Sequence, residues 1–434
     1  MKKSPKKRSR PLPPEYNLLL TATLCLLALG AVMVFSASST TRILQNGGLS
    51  DSAFYLKRTL LFGAVGLAIM VLASRHGLRV VRQLTPLLLA GSIFLLLAVL
   101  AVGTEVNGAT RWLGGGFLQV QPSELAKVAL ILYGADLLAQ KPKRARSLEG
   151  LMPFLLVVGA SSLLIMLQPD MGTTMVIAFS VGATLVAAGV RPVDLGKIGL
   201  VIGALALLMA VVEPYRMARL TSFLNPSADA AGAGFQAAQA KIALGSGGIF
   251  GEGLGNGVQK AFYLPEAHTD MITAVIGEEL GLVGIAGVVG LFAMFGYAGL
   301  KTAQKAKDVY GKLLVTGLTS LVLVQAIINL FAVMGMAPLT GVPLPFVSYG
   351  NSSLMASLFA VGLILNVARG GAAASARRAT PTGAGKLRAI DGGRSPARER
   401  SRANGARKAK SGGGGGGNRG ARRARHGGRR RASG

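Results

Sequence analysis

Cysteine is nearly absent: Cys25 is the single one in 434 residues. That excludes an intramolecular disulfide and a cysteine-built zinc site. Histidine is almost as scarce. His76, His268 and His426 lie far apart, and neither H-E-x-x-H nor G-x-x-x-x-G-K-[ST] occurs. A zinc-histidine hydrolase and P-loop nucleotide chemistry are therefore unsupported. Charge is in short supply too, at 15% Asp, Glu, Lys and Arg, against roughly 25% in an average soluble protein. Hydrophobic residues make up 51% and the mean hydropathy is +0.49. A soluble domain this apolar could not cover its own surface with polar groups, so the composition excludes an ordinary globular enzyme and indicates a polytopic membrane protein.

Acids are the scarcest charges, with 18 Asp+Glu against 47 Lys+Arg and a formal net charge of +29. The excess is localised. From Arg369 onward, 19 Lys+Arg face Asp391 and Glu399 alone. Residues 1–15 form a basic start, with Lys2, Lys3, Lys6, Lys7, Arg8 and Arg10. An apolar run from Tyr16 to about Ser38 follows; it is too long for a signal-peptide core and reads as a retained helix. About 20 residues of helix cross roughly 30 Å of hydrocarbon. Nine more windows of that kind fall near 57–74, 83–102, 121–139, 151–168, 171–190, 196–213, 271–299, 312–335 and 350–368. They lack strand alternation, and only helices or closed barrels satisfy the backbone in lipid. The expectation is an all-α protein of ten transmembrane helices over 16–369, with the break at Gln168-Pro169-Asp170 the least marked.

Orientation follows from lysine and arginine. With the N-terminus inside, the inner loops carry Arg75, Arg79 and Arg82, then Lys141, Lys143, Arg144 and Arg146, then Arg191 and Lys197, then Lys301, Lys305, Lys307 and Lys312. The last outer loop, 336–349, carries neither residue type. This is the positive-inside pattern, with both termini cytoplasmic. One outer loop, 214–270 between the seventh and eighth helices, is far longer than the others and is the functional candidate. It holds Gln236 to Leu244, with helical character, and then the glycine-rich stretch Gly245–Gly257. No strand precedes these glycines, so a dinucleotide fingerprint is set aside in favour of a tightly turned or flexible loop edge. The tail 370–434, with its run Gly412–Gly417, is expected to be a disordered cytoplasmic segment. Attraction to anionic membrane lipid, about 1 kcal/mol per basic residue near the surface, is preferred for it over a protein partner, and no nucleic acid is expected.

Polar groups in a membrane protein are costly and so are functional candidates. Four clusters stand at the outer ends. In the first, Arg111-Trp112 precedes Gln121-Pro-Ser123-Glu124-x-x-Lys127. Glu124 and Lys127 share a helix face and form either a structural ion pair or a lining for a polar substrate. In the second, Gln168-Pro-Asp170-Met-Gly172-Thr173, Asp170 suits a helix cap. In the third, Arg216 and Arg219 are either solvated at the interface or matched to phosphate oxygens. The fourth runs from Phe262 through Glu266, His268, Thr269 and Asp270 to Glu278-Glu279. A cap would explain Asp270 alone, whereas Glu278 and Glu279 lie deeper and need a partner or a wet cavity.

These stretches together resemble the SEDS family (shape, elongation, division and sporulation). The residues that carry the resemblance are Tyr263-Leu-Pro-Glu-Ala-His-Thr-Asp270, Ile276-Gly-Glu-Glu-Leu-Gly281, Val32-Met-Val-Phe-Ser-Ala-Ser-Ser39, Arg111-Trp112, Gln121-Pro-Ser-Glu124-x-x-Lys127, Gln168-Pro-Asp-Met-Gly-Thr173, Gly245-Ser-Gly-Gly248 and Pro345-Phe-Val-Ser-Tyr-Gly350, in family order across roughly 15–370. Ala267 places the chain nearer the division branch than the elongation branch, and Met271 stands where the family usually has Phe.

The resemblance implies a peptidoglycan glycosyltransferase that polymerises lipid II at the outer face of the bacterial cytoplasmic membrane, at the division septum. It also implies a class B penicillin-binding transpeptidase and other division proteins as partners. By position Asp270 is the catalytic aspartate, here assigned as general base. A β-1,4 product from an α-linked donor requires inversion, which one carboxylate can serve without a covalent sugar intermediate. At an ordinary pKa of about 3.9 it is a weak base, and partial burial would help by raising that value. Lys127, Arg216, Arg219 and Lys241 are candidates to meet the leaving pyrophosphate, with or without a divalent cation such as Mg2+ or Mn2+. Substrate contacts are expected of Arg111, Trp112, Gln121, Ser123, Glu124, Asp170, Glu266, His268 and Thr269 as well. Two competing readings are a lipid II flippase and a scaffold without catalysis. A flippase should carry charge through the full bilayer depth, and the cytoplasmic half of the spans is poor in it.

Overall fold

The computed structural model describes residues 12–45, 53–76, 78–106, 109–116, 119–142, 147–212, 217, 219, 221–223 and 233–379. The basic start up to residue 11, Arg216 and the tail from residue 380 lie outside them. The architecture is a helical bundle of α1 (Pro14–Gln45), α2 (Phe54–Arg75), α3 (Leu78–Val102), α4 (Pro122–Gln140), α5 (Leu148–Leu167), α6 (Met171–Ala188), α7 (Pro192–Val212), α8 (Ala233–Ser246), α9 (Gln259–Phe262), α10 (Ile272–Gln304), α11 (Val309–Val333) and α12 (Asn351–Ala379). Among the described residues, eight helices are long and apolar enough to cross a membrane, namely α1, α2, α3, α5, α6, α10, α11 and α12. The protein is a polytopic membrane protein. The expectation of ten crossings goes beyond those eight. Helices also form at the two remaining positions, as α7 and as the 19-residue α4, which carries Glu124, Lys127 and Asp136.

One expectation needs amending. The connection between α3 and α4 holds a two-stranded antiparallel hairpin, β1 (Thr104–Val106) with β2 (Ala109–Trp112), so among the described residues the named elements are helices apart from this ribbon. The strands are short, and Thr110-Arg111-Trp112 has the β-branched and aromatic content that suits an extended edge.

Helix ends follow local chemistry. Ser147 and Asp308 cap α5 and α11 by accepting from Gly150 N and Gly311 N, and Pro122 occupies the first turn of α4, where its missing N–H costs nothing. Leu87, Leu156 and Leu200 stand exposed on α3, α5 and α7, as lipid-facing side chains should. Helices α11 and α12 are mostly buried and form the centre, with α10 packed between α1 and α11, and α12 along α2.

Helix α10 is broken where hydropathy shows no break. Gly281 adopts φ 65° inside it, and the glycine-rich segment folds back onto the break. Leu282 and Val283 N–H donate to the carbonyls of Gly248 and Ile249, and Glu252 and Gly253 N–H donate to those of Glu278 and Glu279. Backbone so close leaves no room for side chains: a β-carbon on Gly281 would stand 2.4 Å from Gly251 N. The glycine stretch is thus a tightly turned edge that repairs a helix break. The first turns of α10 reach from α11, through Thr273 to Asn329, across to α1, through Glu279 to Ser36. Counted along their helices from the end where the Lys301–Lys312 turn lies, Asn329 and Ser36 sit about 25–33 Å up. This segment therefore crosses the far end of the bundle.

Candidate active site

Asp270 precedes α10 and does not cap it. The N-cap is Met271, with no side-chain cap bond, which corrects the simplest reading of this aspartate. Its carboxylate is partly buried and accepts from Thr269 Oγ1 at 3.2 Å. Removal from water pushes its pKa from 3.8 up to about 6; the Arg219 guanidinium pulls it back down, and the Glu266 carboxylate adds to the rise. The backbone below it is pinned: Asn329 Nδ2 donates to the Asp270 carbonyl at 2.7 Å and to the Val342 carbonyl at 2.8 Å. Glu266 turns the chain with φ 55°, and Thr269 closes that turn with its N–H donating to the Glu266 carbonyl at 3.0 Å; the Glu266 carbonyl and carboxylate are alternative acceptors for its one hydroxyl proton, at 3.0 and 3.2 Å. His268 lies in an aromatic group, 4.4 Å from the Tyr55 ring and 5.5 Å from the Tyr349 ring, and its carbonyl accepts from Tyr349 N.

The connection between α11 and α12 organises everything around Asp270. Leu339 carbonyl accepts from Arg219 Nη1 at 2.7 Å. Gly341, at φ 71°, presents its α-carbon to the site: a β-carbon there would stand 3.9 Å from Asp270 Oδ2 and 4.0 Å from Arg219 Nη1. Thr340 and Val342 press on Gly172 at the start of α6, and Ser352 Oγ accepts from Gln121 N at 3.1 Å. Arg219, whose guanidinium acts on Asp270, lines a cleft together with Ser222, Phe223, Lys241, Gly335 and Leu339. Lys241 is exposed and its stem lies across Gly335, which has φ 70° and would clash with it if given a β-carbon. Arg219 and Lys241 thus share one opening, whereas Arg216 lies outside the described residues.

The remaining expected residues sit in a neighbouring polar layer. Asp170 caps α6, Oδ1 accepting from Thr173 N at 3.0 Å, and Gln121 Nε2 reaches its other oxygen at 3.4 Å. Arg111 donates to the carbonyls of Gln168 and Pro169, so its guanidinium holds the turn between α5 and α6; Trp112 is half-buried on β2 beside it. Glu124 and Lys127 form a buried ion pair at 2.9 Å. Lys127 also donates to Gln325 Oε1 at 3.1 Å, and Gln325 donates to the Pro343 carbonyl at 3.1 Å. Ser123 is buried beside them, its hydroxyl without a partner.

Three buried polar positions beside these residues escape the sequence reading. Lys260 is buried and pairs with Glu279, donating also to Ser36 Oγ and the Gly255 carbonyl at 2.9 Å. This is the partner that Glu279 needed. Glu278 instead accepts from Val258 N and Gln259 N at 2.7 and 3.0 Å. Gln325 and Asn329, both buried in α11, are the other two. An amide in a spanning helix is costly, and that cost was the signal that could have found them.

The family model for the cell cycle proteins FtsW, RodA and SpoVE matches residues 16–372. The chain belongs to the FtsW/RodA/SpoVE family. It is 41% identical over 360 residues to a probable peptidoglycan glycosyltransferase FtsW of Trichlorobacter lovleyi, covering 82% of this chain and 94% of that protein. It is 41% identical over 358 residues to the stage V sporulation protein E of Bacillus subtilis, covering 81% and 96%. Among solved structures, a peptidoglycan synthase complex that coordinates polymerization and crosslinking aligns with TM-score 0.65 at 29% identity, covering 81% of this chain and 97% of that one. The rod shape determining protein RodA of Thermus thermophilus aligns with TM-score 0.60 at 29% identity, covering 81% and 95%. Membership of the FtsW/RodA/SpoVE family and the multi-pass membrane architecture agree with what the sequence motifs implied.

Proposed function

We propose that this protein polymerises lipid II into β-1,4 glycan strands at the outer face of the bacterial cytoplasmic membrane, as a glycosyltransferase of septal wall synthesis. The observation that carries the reading is the Asp270 carboxylate, set uncapped beside Arg219 at the end of the bundle opposite the lysine-rich turn, with a basic cleft next to it. The incoming sugar's 4-hydroxyl loses its proton to Asp270 as its oxygen attacks C1 of the growing chain. The bond from C1 to undecaprenyl pyrophosphate breaks on the opposite face, so configuration inverts. A base with a pKa near 6 is ionised at neutral pH and accepts a proton more readily than an ordinary carboxylate, which is the compromise general-base catalysis favours. Charge appears on the departing pyrophosphate, and Arg219 and Lys241 are placed to offset it.

Among the described residues no trio of metal-ligating side chains converges, and Asp270 and Glu266 alone do not form an all-protein cage. Lys127 and Glu124 serve this reading as a buried brace, since each satisfies the other away from the cleft. Both termini lie on the cytoplasmic side by the lysine and arginine distribution, and a class B penicillin-binding transpeptidase is the partner. The related synthase complex that coordinates polymerization and crosslinking supports such a pairing. The test is direct. Full-length protein copurified with that transpeptidase is given lipid II in detergent, and Asp270→Ala is compared with wild type. Glycan polymer from wild type alone, with both complexes intact, supports the assignment; equal polymer from the two removes it.

A further inference from the structure

We infer that Asn329 is a positioning residue that sets where the Asp270 carboxylate stands, acting through the Asp270 main chain. The inference rests on the polymerase reading above. Asp270 lies one residue outside the hydrogen-bond ladder of α10, whose first N–H groups, from Ala274 and Val275, go to the Met271 carbonyl. The Asp270 carbonyl is left for another donor, and Asn329 supplies it at 2.7 Å. The same amide gives its second N–H to Val342 at 2.8 Å, and its oxygen accepts from Thr273 at 2.6 Å. Asn329 is 2% exposed, so these partners are its alternative to water, and losing them would leave buried polar atoms unpaired.

The two carbonyls it joins belong to the two halves of the site. One is that of Asp270. The other is that of Val342, next to Gly341, whose α-carbon faces both Asp270 Oδ2 and Arg219 Nη1. One turn earlier on α11, Gln325 Nε2 takes the Pro343 carbonyl at 3.1 Å. Consecutive carbonyls of this connection are thereby clamped by amides four residues apart on one helix face. Asp270 is held against Arg219 because both are held to the same strip of backbone, Arg219 through Leu339. Without Asn329 the aspartate keeps its residue type and its neighbour Thr269 but loses this fixed distance.

The experiment measures glycan polymer from lipid II by full-length Asn329→Ala with its transpeptidase partner, across the acid range, with Thr273→Val as a milder variant that removes one bond to the same amide. Misplacing a catalytic group by about 1 Å can cost roughly 100-fold in rate. The expected result is a fall in kcat of about that size for Asn329→Ala with KM for lipid II near wild type, together with a displaced acid limb, because the carboxylate's surroundings change. Thr273→Val should move both readouts the same way by less. A rate loss with the acid limb unmoved means fewer folded molecules and overturns the inference, as does a wild-type rate. If Asn329→Ala cannot be isolated folded, Thr273→Val decides by the same two readouts. Asp270→Ala as active as wild type would remove the polymerase reading itself, whatever Asn329 does.

Discussion

Two aspartates open two helices in this protein, and they are used in opposite ways. Asp170 follows a proline turn and precedes α6; Asp270 follows a tighter turn and precedes α10. On paper they look alike, each an acid at a helix start with a threonine close by. Asp170 spends its carboxylate on the helix, accepting from Thr173 N, and Arg111 and Gln121 pack round the same turn. Asp270 sits one residue too early to cap α10, so Met271 takes that place and the carboxylate lies by Gly341, under the influence of Arg219. A shift of one residue relative to the helix separates an acid that caps it from one whose carboxylate the helix does not use. The cap earns its stability at once, while the uncapped acid pays in desolvation and gains a raised pKa.

The comparison breaks most visibly at Asp270. Asp270→Asn removes the base without changing shape, and polymerisation should fall by about 10²–10⁴-fold, measured as glycan product from lipid II. The fold should not suffer. Next in size is the buried pair in the layer that Asp170 shares. Lys127→Met leaves Glu124 alone among buried groups, and removing one partner of a buried pair costs about 3–5 kcal/mol. The double variant Glu124→Gln/Lys127→Met should recover most of that, read as the unfolding midpoint in detergent. A single variant as stable as wild type would show that Glu124, buried with Lys127, takes up a proton once its partner is gone.

Much of the fold was legible because lipid imposes a length and an apolarity on every crossing helix, and hydropathy reads both. The break between α5 and α6 was legible through Pro169. The break at Gly281 was not, because Leu280 and Leu282 keep the run apolar and only the backbone torsion of one glycine records it. The grouping of the candidate site was legible where charge marked it, in Asp270, Arg219 and Lys241, which the fold brings near one another. It was hidden where neutral groups do the holding. The connection 336–349 carries no lysine or arginine, yet its carbonyls anchor Arg219, Asn329 and Gln325. Lys260 was hidden for another reason: its partners Ser36 and Glu279 meet it through the fold, 224 and 19 residues away.

A smaller effect separates the two aspartates by pH. With its pKa at about 6, Asp270 should give kcat/KM an acid limb there, activity rising with pH and levelling above it. Arg219 lowers that pKa, so Arg219→Gln should move the limb to higher pH. The stability sign is the reverse of an ordinary paired acid. The folded protein holds this proton more tightly than the unfolded chain, so stability falls as pH rises from 3.8 through about 6. Asp270→Asn should therefore raise the unfolding midpoint at neutral pH and lose that advantage in strong acid. A limb that stays in place in Arg219→Gln would mean the guanidinium and carboxylate do not sense each other.

The smallest effect belongs to Asp170. Asp170→Ala removes a cap worth about 1 kcal/mol and should lower the unfolding midpoint slightly, while Asp170→Asn, whose side-chain oxygen can still accept from Thr173 N, should stay close to wild type. Rate is where the comparison is sharpened. If Asp170 is purely the cap that its bond to Thr173 N indicates, both variants polymerise lipid II nearly as wild type once corrected for folded fraction. If Asp170→Asn instead loses activity at unchanged stability, its charge is needed beyond the helix. The Arg111–Gln121–Asp170 layer then contacts substrate, and the two aspartates are two ends of one binding surface.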